Sequence, residues 1–366
     1  MKLSEAVKKI RERLPVELVA DQDNVGLIVG DYDDECGKMV VAYELNGGVI
    51  EEAVESGSNL IVTYHTPLFR AAKSFTTSSS RPDFLVQAAR RLLNVYAVHT
   101  ALDVVRDGIN FDLASRLGLR NPKYLSPLPD TLRKIVVFVP RDHLEKVRSA
   151  MSKSGAGMIG NYTGCAFASE GEGSFLPGDG ATPYVGTPGK TERASESRLE
   201  MVVEKSNAER VVRAMMDAHP YEEVAYDVYP LLNSSANYGF GAIGDLEEKM
   251  SGEKFLERIK NVLGQAFLKA AHAVDSEIKR VALCAGSGVS FYGDAVRERA
   301  DIFITGDVKH HDFRESMMLP TVLVDATHRG TERFAAELLH RIMNEIFKDR
   351  VVVNLSKHEY DSAVIV

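Results

Sequence analysis

Between Leu3 and Leu14 the apolar residues recur at helical spacing, which places them on one face of a helix. Beyond that helix the chain switches to short apolar runs separated by amphipathic stretches. Asp23 to Gly30 reads as a turn into a short strand. Strand Met39 to Ala42, a helix near Val49 to Ser56, strand Leu60 to Tyr64, helix Asp83 to Leu93, strand Val95 to His99 and helix Phe111 to Leu117 follow. Alternation of this kind predicts an α/β class, with parallel or mixed strands in mixed sheets and covering helices.

The pattern changes after Leu119. Asn121-Pro122 and Ser126-Pro127-Leu128-Pro129-Asp130 bring three prolines into a short stretch, which predicts a domain boundary. Strand Arg133 to Val139, helix Arg141 to Ser154, a Gly-rich and Ser-rich stretch from Ser169 to Ser197, strand Arg198 to Val203, helix Asn207 to Ala218 and strand Val224 to Leu231 come next. This order predicts a ferredoxin-like α+β insert over residues 130–236. After Gly239 to Gly244 the first pattern resumes: helix Ser251 to Leu263, strand Arg280 to Ala285, helix Phe291 to Arg299, strands Asp301 to Thr305 and Thr321 to Asp325, and helix Arg329 to Phe347. Residues 1–129 and 237–366 are therefore expected to form one discontinuous core.

Composition narrows the function classes. The 366 residues are 45% hydrophobic and 26% charged, ordinary for a globular chain of two or more compact units. A formal charge of −8 and a pI near 5.8 argue against a general nucleic-acid surface, which needs a basic face. The three cysteines, Cys36, Cys165 and Cys284, are odd in number and widely spaced; they give no disulfide framework or zinc ribbon and suit a reducing cytoplasm. The charged amphipathic start is no signal peptide, and no uncharged run reaches the ~18 residues of a membrane span, so the expectation is a cytoplasmic protein without a membrane partner.

Candidate chemistry collects where strands end. His65 follows Leu60 to Tyr64, Asp103 follows Val95 to His99, and His328 and Glu332 follow Val322-Leu323-Val324-Asp325. In open α/β sheets the crevice at the carboxyl ends of the strands is where ligands bind. His328 and Glu332 are four apart at a predicted helix start, so they share a face and can hold one ion or bridge two. Alone, each residue has a plainer explanation: an exposed helix-start pair, a packed strand-end histidine, and an Asx turn or cap at Asp103. Tyr64, His99, Asp307 and His311 are candidates for additional ligands or for lining the site; adjacent residues such as His310 and His311 point in different directions on most backbones, so one of the two is expected to face it. Mixed histidine and carboxylate ligands suit zinc, iron or manganese. Such an ion makes bound water acidic and so licenses hydrolysis as a reaction class. Ala285-Gly286-Ser287-Gly288 offers either an anion-binding turn or a tight strand-to-helix connection. His219-Pro220-Tyr221-Glu222-Glu223 has ligand-type residues but reads as a helix stop.

Asp23-Asn24-Val25-Gly26-Leu27, Tyr64-His65-Thr66-Pro67-Leu68-Phe69, His99-Thr100-Ala101-Leu102-Asp103, Thr305-Gly306-Asp307 with His311, and His328-Arg329-Gly330-Thr331-Glu332 together resemble the Nif-three-like family, whose members carry the name GTP cyclohydrolase 1 type 2 homologues. The insert, with His219 to Glu223, looks like the PII/CutA-like domain of the longer members. The resemblance implies a dinuclear centre of divalent ions in each subunit of a toroidal homohexamer. Asp103 would serve one ion, His65 and His328 the other, and Glu332 both. Where many members have two adjacent histidines, the first position here is Tyr64. A phenol is the poorer ligand, so the ion there is weak, absent or completed by His99. No residue selects a guanine or a triphosphate. The resemblance therefore leaves a metal-dependent hydrolase of a nucleotide or related small molecule beside two alternatives: a metal-binding regulatory or interaction protein without turnover, and a metal store.

Overall fold

The computed structural model describes residues 1–358 apart from 20, 22, 71 and 79–82. Residues 359–366, assigned to the core from sequence, lie outside the described residues. The chain forms two compact units, Met1–Pro127 with Ala236–Val366, and Leu128–Ser235.

The first unit contains two sheets. One has the strand order Gly26–Val29, Asn94–Ala97, Leu60–Thr63, Lys38–Ala42, Val352–Leu355. All neighbours are parallel except the first pair. Leu60–Thr63 and Asn94–Ala97 are buried along their whole length, as strands covered on both faces must be, and this is why their sequences are continuous rather than alternating. Ala42 pairs with Thr63 and Thr63 with Ala97, so three strands end level. The other sheet has the order Lys269–Ala270, Val322–Asp325, Ile302–Thr305, Glu277–Leu283, Gly239–Ser251, Leu119–Pro127. Its parallel centre also ends level, with Thr305 opposite Asp325.

Several expectations change. The proline-rich stretch is mostly strand: Leu119–Pro127 is the sheet's edge, and an edge strand tolerates prolines because one side needs no N–H donors. Gly239 to Gly244 is the start of a long strand, Gly239–Ser251. Val352–Leu355, which carried no expectation, completes the first sheet beside Lys38–Ala42. The expected helix from Arg329 to Phe347 is two: His328–Glu332, capped by the Thr327 side chain, and Ala335–Phe347. On one straight helix the Glu332 and Phe334 faces would point about 200° apart. Glu332 is buried while Phe334 packs on the hydrophobic core, and the break lets each find its own surroundings.

The second unit runs Leu132–Pro140, Leu144–Lys153, Phe167–Phe175, Glu192–Glu204, Ala208–Ala218, Tyr226–Pro230. Its antiparallel sheet has the order 167–175, 192–204, 132–140, 226–230. Alternate residues Ile135, Val137 and Val139 meet Leu199, Met201 and Val203, and the helices add Val147, Met151, Val211 and Met215 at four-residue spacing. The Gly-rich and Ser-rich stretch thus holds most of one strand and part of another. Phe167–Phe175 is almost wholly exposed, so it carries no apolar alternation to reveal it. No helix among the described residues is long and apolar enough to cross a membrane.

Candidate metal centre

Both sheets of the first unit deliver polar residues from their strand ends. Past the first sheet the backbone ladder continues: the His65 N–H donates to the Tyr43 carbonyl at 2.8 Å, and the His99 N–H to the Tyr64 carbonyl at 2.7 Å. Tyr43, Tyr64, His65 and His99 are therefore positioned by main-chain hydrogen bonds as well as by their side-chain contacts. Past the second sheet the Ala326 N–H donates to the Thr305 carbonyl and the Gly306 N–H to that of Gly286. Asn110, 1% exposed, joins the two sets: its amide donates to the Asp103 carbonyl and its oxygen accepts from the Ala285 N–H.

Glu332 lies at the centre, 3% exposed. Its Oε2 is 3.2 Å from His65 Nε2 and 3.1 Å from His328 Nε2, and accepts from the Tyr43 hydroxyl at 2.7 Å. Its Oε1 accepts from the Tyr64 hydroxyl at 3.2 Å. That hydroxyl also lies 2.8 Å from Asp103 Oδ1. Behind His328, Nδ1 meets Asp307 Oδ2 at 2.7 Å, which turns Nε2 towards Glu332. Behind His99, Nδ1 meets the Asp23 carboxylate, which also accepts from the Thr100 hydroxyl.

The electrostatics follow from this packing. Burial alone would raise the Glu332 carboxyl, but hydrogen bonds and charge from His328 and His65 outweigh it and hold the carboxyl well below its usual range. The hydrogen bond to Glu332 comes first in raising His328 to about 9, against burial and with help from Asp307. Burial, then the charge of Glu332, raises Asp103 to about 7. Burial lowers the His99 ring, but its hydrogen bond to Asp23 and nearby carboxylates raise it overall.

The local backbone is strained. Three of the eight non-glycine residues with positive φ among the described residues are His99 at 32°, Asp307 at 55° and Thr327 at 62°, all beside this cluster. A β-branched residue such as Thr327 rarely adopts that region, and strain of this kind collects at functional sites. Gly286 has φ 67°, and a Cβ there would run into Glu332 Oε1.

The sequence candidates therefore separate. His65, His328 and Glu332 have ligand atoms within 4.8 Å of one another, and no other group of three or more His, Cys, Asp or Glu residues comes together in this way among the described residues. Asp103 and Tyr64 hydrogen-bond beside this group, and Asp307 supports His328 from behind. His311 is not part of it: its exposed side chain lies 3.5 Å from Asp312, in the separate helix His310–Ser316. The anion-binding reading of the 285–288 turn also fails. The N–H groups of Ala285, Gly286 and Gly288 are committed to Asn110, Thr331 and Thr305. His219 ends its helix, with Nε2 against the Phe138 carbonyl.

A family model described as Duf34/NIF3 (NGG1p interacting factor 3) matches residues 1–362. The chain belongs to the Duf34/NIF3 family. The Bacillus subtilis protein named GTP cyclohydrolase 1 type 2 homolog is 36% identical over 350 residues, 95% of this chain and 94% of that protein. The Halalkalibacterium halodurans protein of the same name is 34% identical over 352 residues, 96% of this chain and 92% of its own. Among solved structures, a Bacillus cereus protein related to NIF3 superposes with a TM-score of 0.86 at 33% identity, covering 100% of this chain and 99% of the other.

Sequence reasoning missed two residues that the geometry of this Duf34/NIF3 chain brings in. Tyr43 hydrogen-bonds Glu332 and lies under the Arg329 guanidinium, 4.0 Å from the ring centroid. Asp23 orients His99. Tyr43 follows directly on the apolar strand Lys38–Ala42, so its strand-end position was a usable signal. Asp23 heads one of the segments that carry the family resemblance, but nothing in its local pattern links its side chain to His99 in a distant segment.

Proposed function

We propose that this chain is a metal-binding protein that uses the His65, His328, Glu332 group in hydrolysis of a nucleotide or a related small molecule. The observation that carries the reading is one buried, anionic carboxylate oxygen approached by two imidazole nitrogens. Ligands on a single ion with bonds of ~2.1 Å sit roughly 3–4 Å apart. The separations of 3.2 and 3.1 Å suit that arrangement. The donor set suits zinc, iron or manganese rather than calcium or magnesium. When bound, such an ion supplies Lewis acidity and brings the ionisation of water towards neutral pH. For a second ion the fit is poorer, because no third His, Cys, Asp or Glu joins Asp103 and Glu332 among the described residues and the group between them is the Tyr64 phenol.

The protein's own residues divide the remaining work. Asp307 fixes the tautomer and direction of His328, the usual device behind a metal-binding imidazole. Asp23 holds His99 through Nδ1, leaving Nε2 to accept and return a proton beside His65, whose ring centroid is 5.3 Å away. The name carried by the relatives makes GTP the first substrate to try. We also propose a homohexamer, on the family resemblance. We read residues 130–236 as a ferredoxin-like, PII/CutA-like insert, a reading supported by two strand-helix-strand repeats in one antiparallel sheet.

GTP and a panel of phosphorylated small molecules should be turned over by the zinc- or manganese-loaded protein, with loss on chelation and in His65→Ala. Stoichiometric metal binding with no turnover across the panel would refute hydrolysis and leave a metal-dependent regulatory or interaction role. Light scattering checks the hexamer, and a monomer would contradict it.

A further inference from the structure

The two oxygens of Glu332 face different chemistry. Oε2 is met by two imidazoles as well as the Tyr43 hydroxyl, whereas Oε1 is met by the Tyr64 hydroxyl with no imidazole beside it. The Tyr64 hydroxyl lies 2.8 Å from Asp103 Oδ1 and 3.2 Å from Glu332 Oε1. Ionised carboxylates only accept, so the phenol is the donor to this pair. The phenol oxygen lies within hydrogen-bond distance of both carboxylates, in the space that an ion shared by them would need. Tyr64 is 0% exposed. The rings of Tyr43, His65 and His99 stand 5.9, 5.0 and 5.7 Å from it. The hydroxyl cannot swing aside without displacing them, since a packed interior offers no spare volume. His99 does not complete a ligand group with Asp103 and Glu332, and it directs Nδ1 to Asp23 instead.

We propose that Tyr64 closes the Asp103 side of the centre, so that each chain holds one divalent ion, on the His65, His328 and Glu332 side. The inference rests on the metal-binding reading above. An imidazole at this position would turn a lone pair towards the two carboxylates; the phenol turns a hydrogen towards them. The hydroxyl, sharing its one hydrogen between Asp103 Oδ1 and Glu332 Oε1, stands where a second cation would otherwise bridge them. Asp103 is then a partner of Tyr64 rather than a ligand, and residue 64 sets how many ions the centre takes.

The test is the zinc content of the full-length protein after loading and removal of free ion, by elemental analysis against chain concentration, for wild type and Tyr64→His. The expected result is one zinc per chain in wild type and two in Tyr64→His. Two in wild type would overturn the inference while leaving the metal-binding reading intact; none in wild type would overturn both. A folded Tyr64→His that stays at one removes the role given to Tyr64. If that variant does not fold, the wild-type count is joined by ferric loading. A visible tyrosinate-to-iron absorption would mean that Tyr64 is itself a ligand and would overturn the inference. Its absence, with one iron per chain, is the expected result.

Discussion

The two sides of the Glu332 carboxylate are built from the same materials and arrive at opposite chemistry. Each side combines strand-end residues with a carboxylate at hydrogen-bond distance. On the Oε2 side the neighbours are the Tyr43 hydroxyl and the imidazoles of His65 and His328, and the imidazoles can exchange a proton for a cation. On the Oε1 side the neighbour is Tyr64, which holds its proton against two acceptors. The contrast teaches that convergence of polar groups does not make a metal site by itself. What matters is whether imidazoles that can offer lone pairs reach the carboxylate oxygen beside its hydroxyl donor, as they do at Oε2 and do not at Oε1.

The largest break in this comparison comes from its shared member. Glu332→Gln keeps the shape but removes the charge that both imidazoles face, and zinc titration should show affinity falling by more than about 100-fold, beyond the range typical of supporting residues. Retained affinity would mean that the histidines bind without it.

Protons come next. His328, raised to about 9, must release a proton to bind an ion, so the sign is fixed: affinity falls as pH falls. One displaced proton gives about tenfold per pH unit, hence about 100-fold between pH 8 and pH 6, with proton release seen calorimetrically in buffers of different ionisation heat. A flat profile would contradict proton competition at the imidazole side.

Asp307→Asn should weaken zinc binding by roughly 10-fold, within the range for a residue that orients a ligand from behind. No change would show that His328 is held by packing alone.

The smallest effect on metal is expected at the phenol side. Asp103→Asn should leave zinc affinity within about threefold, because that carboxylate holds Tyr64 rather than the ion. It should instead stabilise the chelated protein at pH 8. Asp103 has its folded value raised from 3.8 to about 7, so its favourable contribution is complete below the lower value and is lost as pH rises through the upper one. At pH 8 the buried charge therefore costs stability, at most on the order of 4 kcal/mol. A thermal melt showing no gain over wild type at pH 8 would contradict that account.

How far the centre could be read from sequence follows the same division. His65, Asp103, His328 and Glu332 were visible because each follows a short apolar run, and a strand buried on both faces leaves such a run in the sequence. The pairing of His328 with Glu332 was visible through helical spacing. The support behind the ligands was harder to see. Asp23 reaches His99 across 76 positions, and only the folded sheet brings them together. Tyr64 stood out as a departure at a histidine position, but its hydrogen bonds to both carboxylates depend on side-chain packing that no local pattern encodes. Elsewhere, exposed strands were lost for the converse reason. Phe167–Phe175 buries too little to impose alternation, and the edge strand Leu119–Pro127 hides behind prolines that its position tolerates.

The central claim is that the imidazole side of Glu332 binds an ion and the phenol side does not. The most direct measurement is anomalous scattering at the zinc edge from crystals of the zinc-loaded full-length protein. The account predicts a single peak per chain at this centre, ~2.1 Å from His65 Nε2, His328 Nε2 and Glu332 Oε2. A peak between Asp103 Oδ1 and Glu332 Oε1, or no peak beside the two imidazoles, would contradict it.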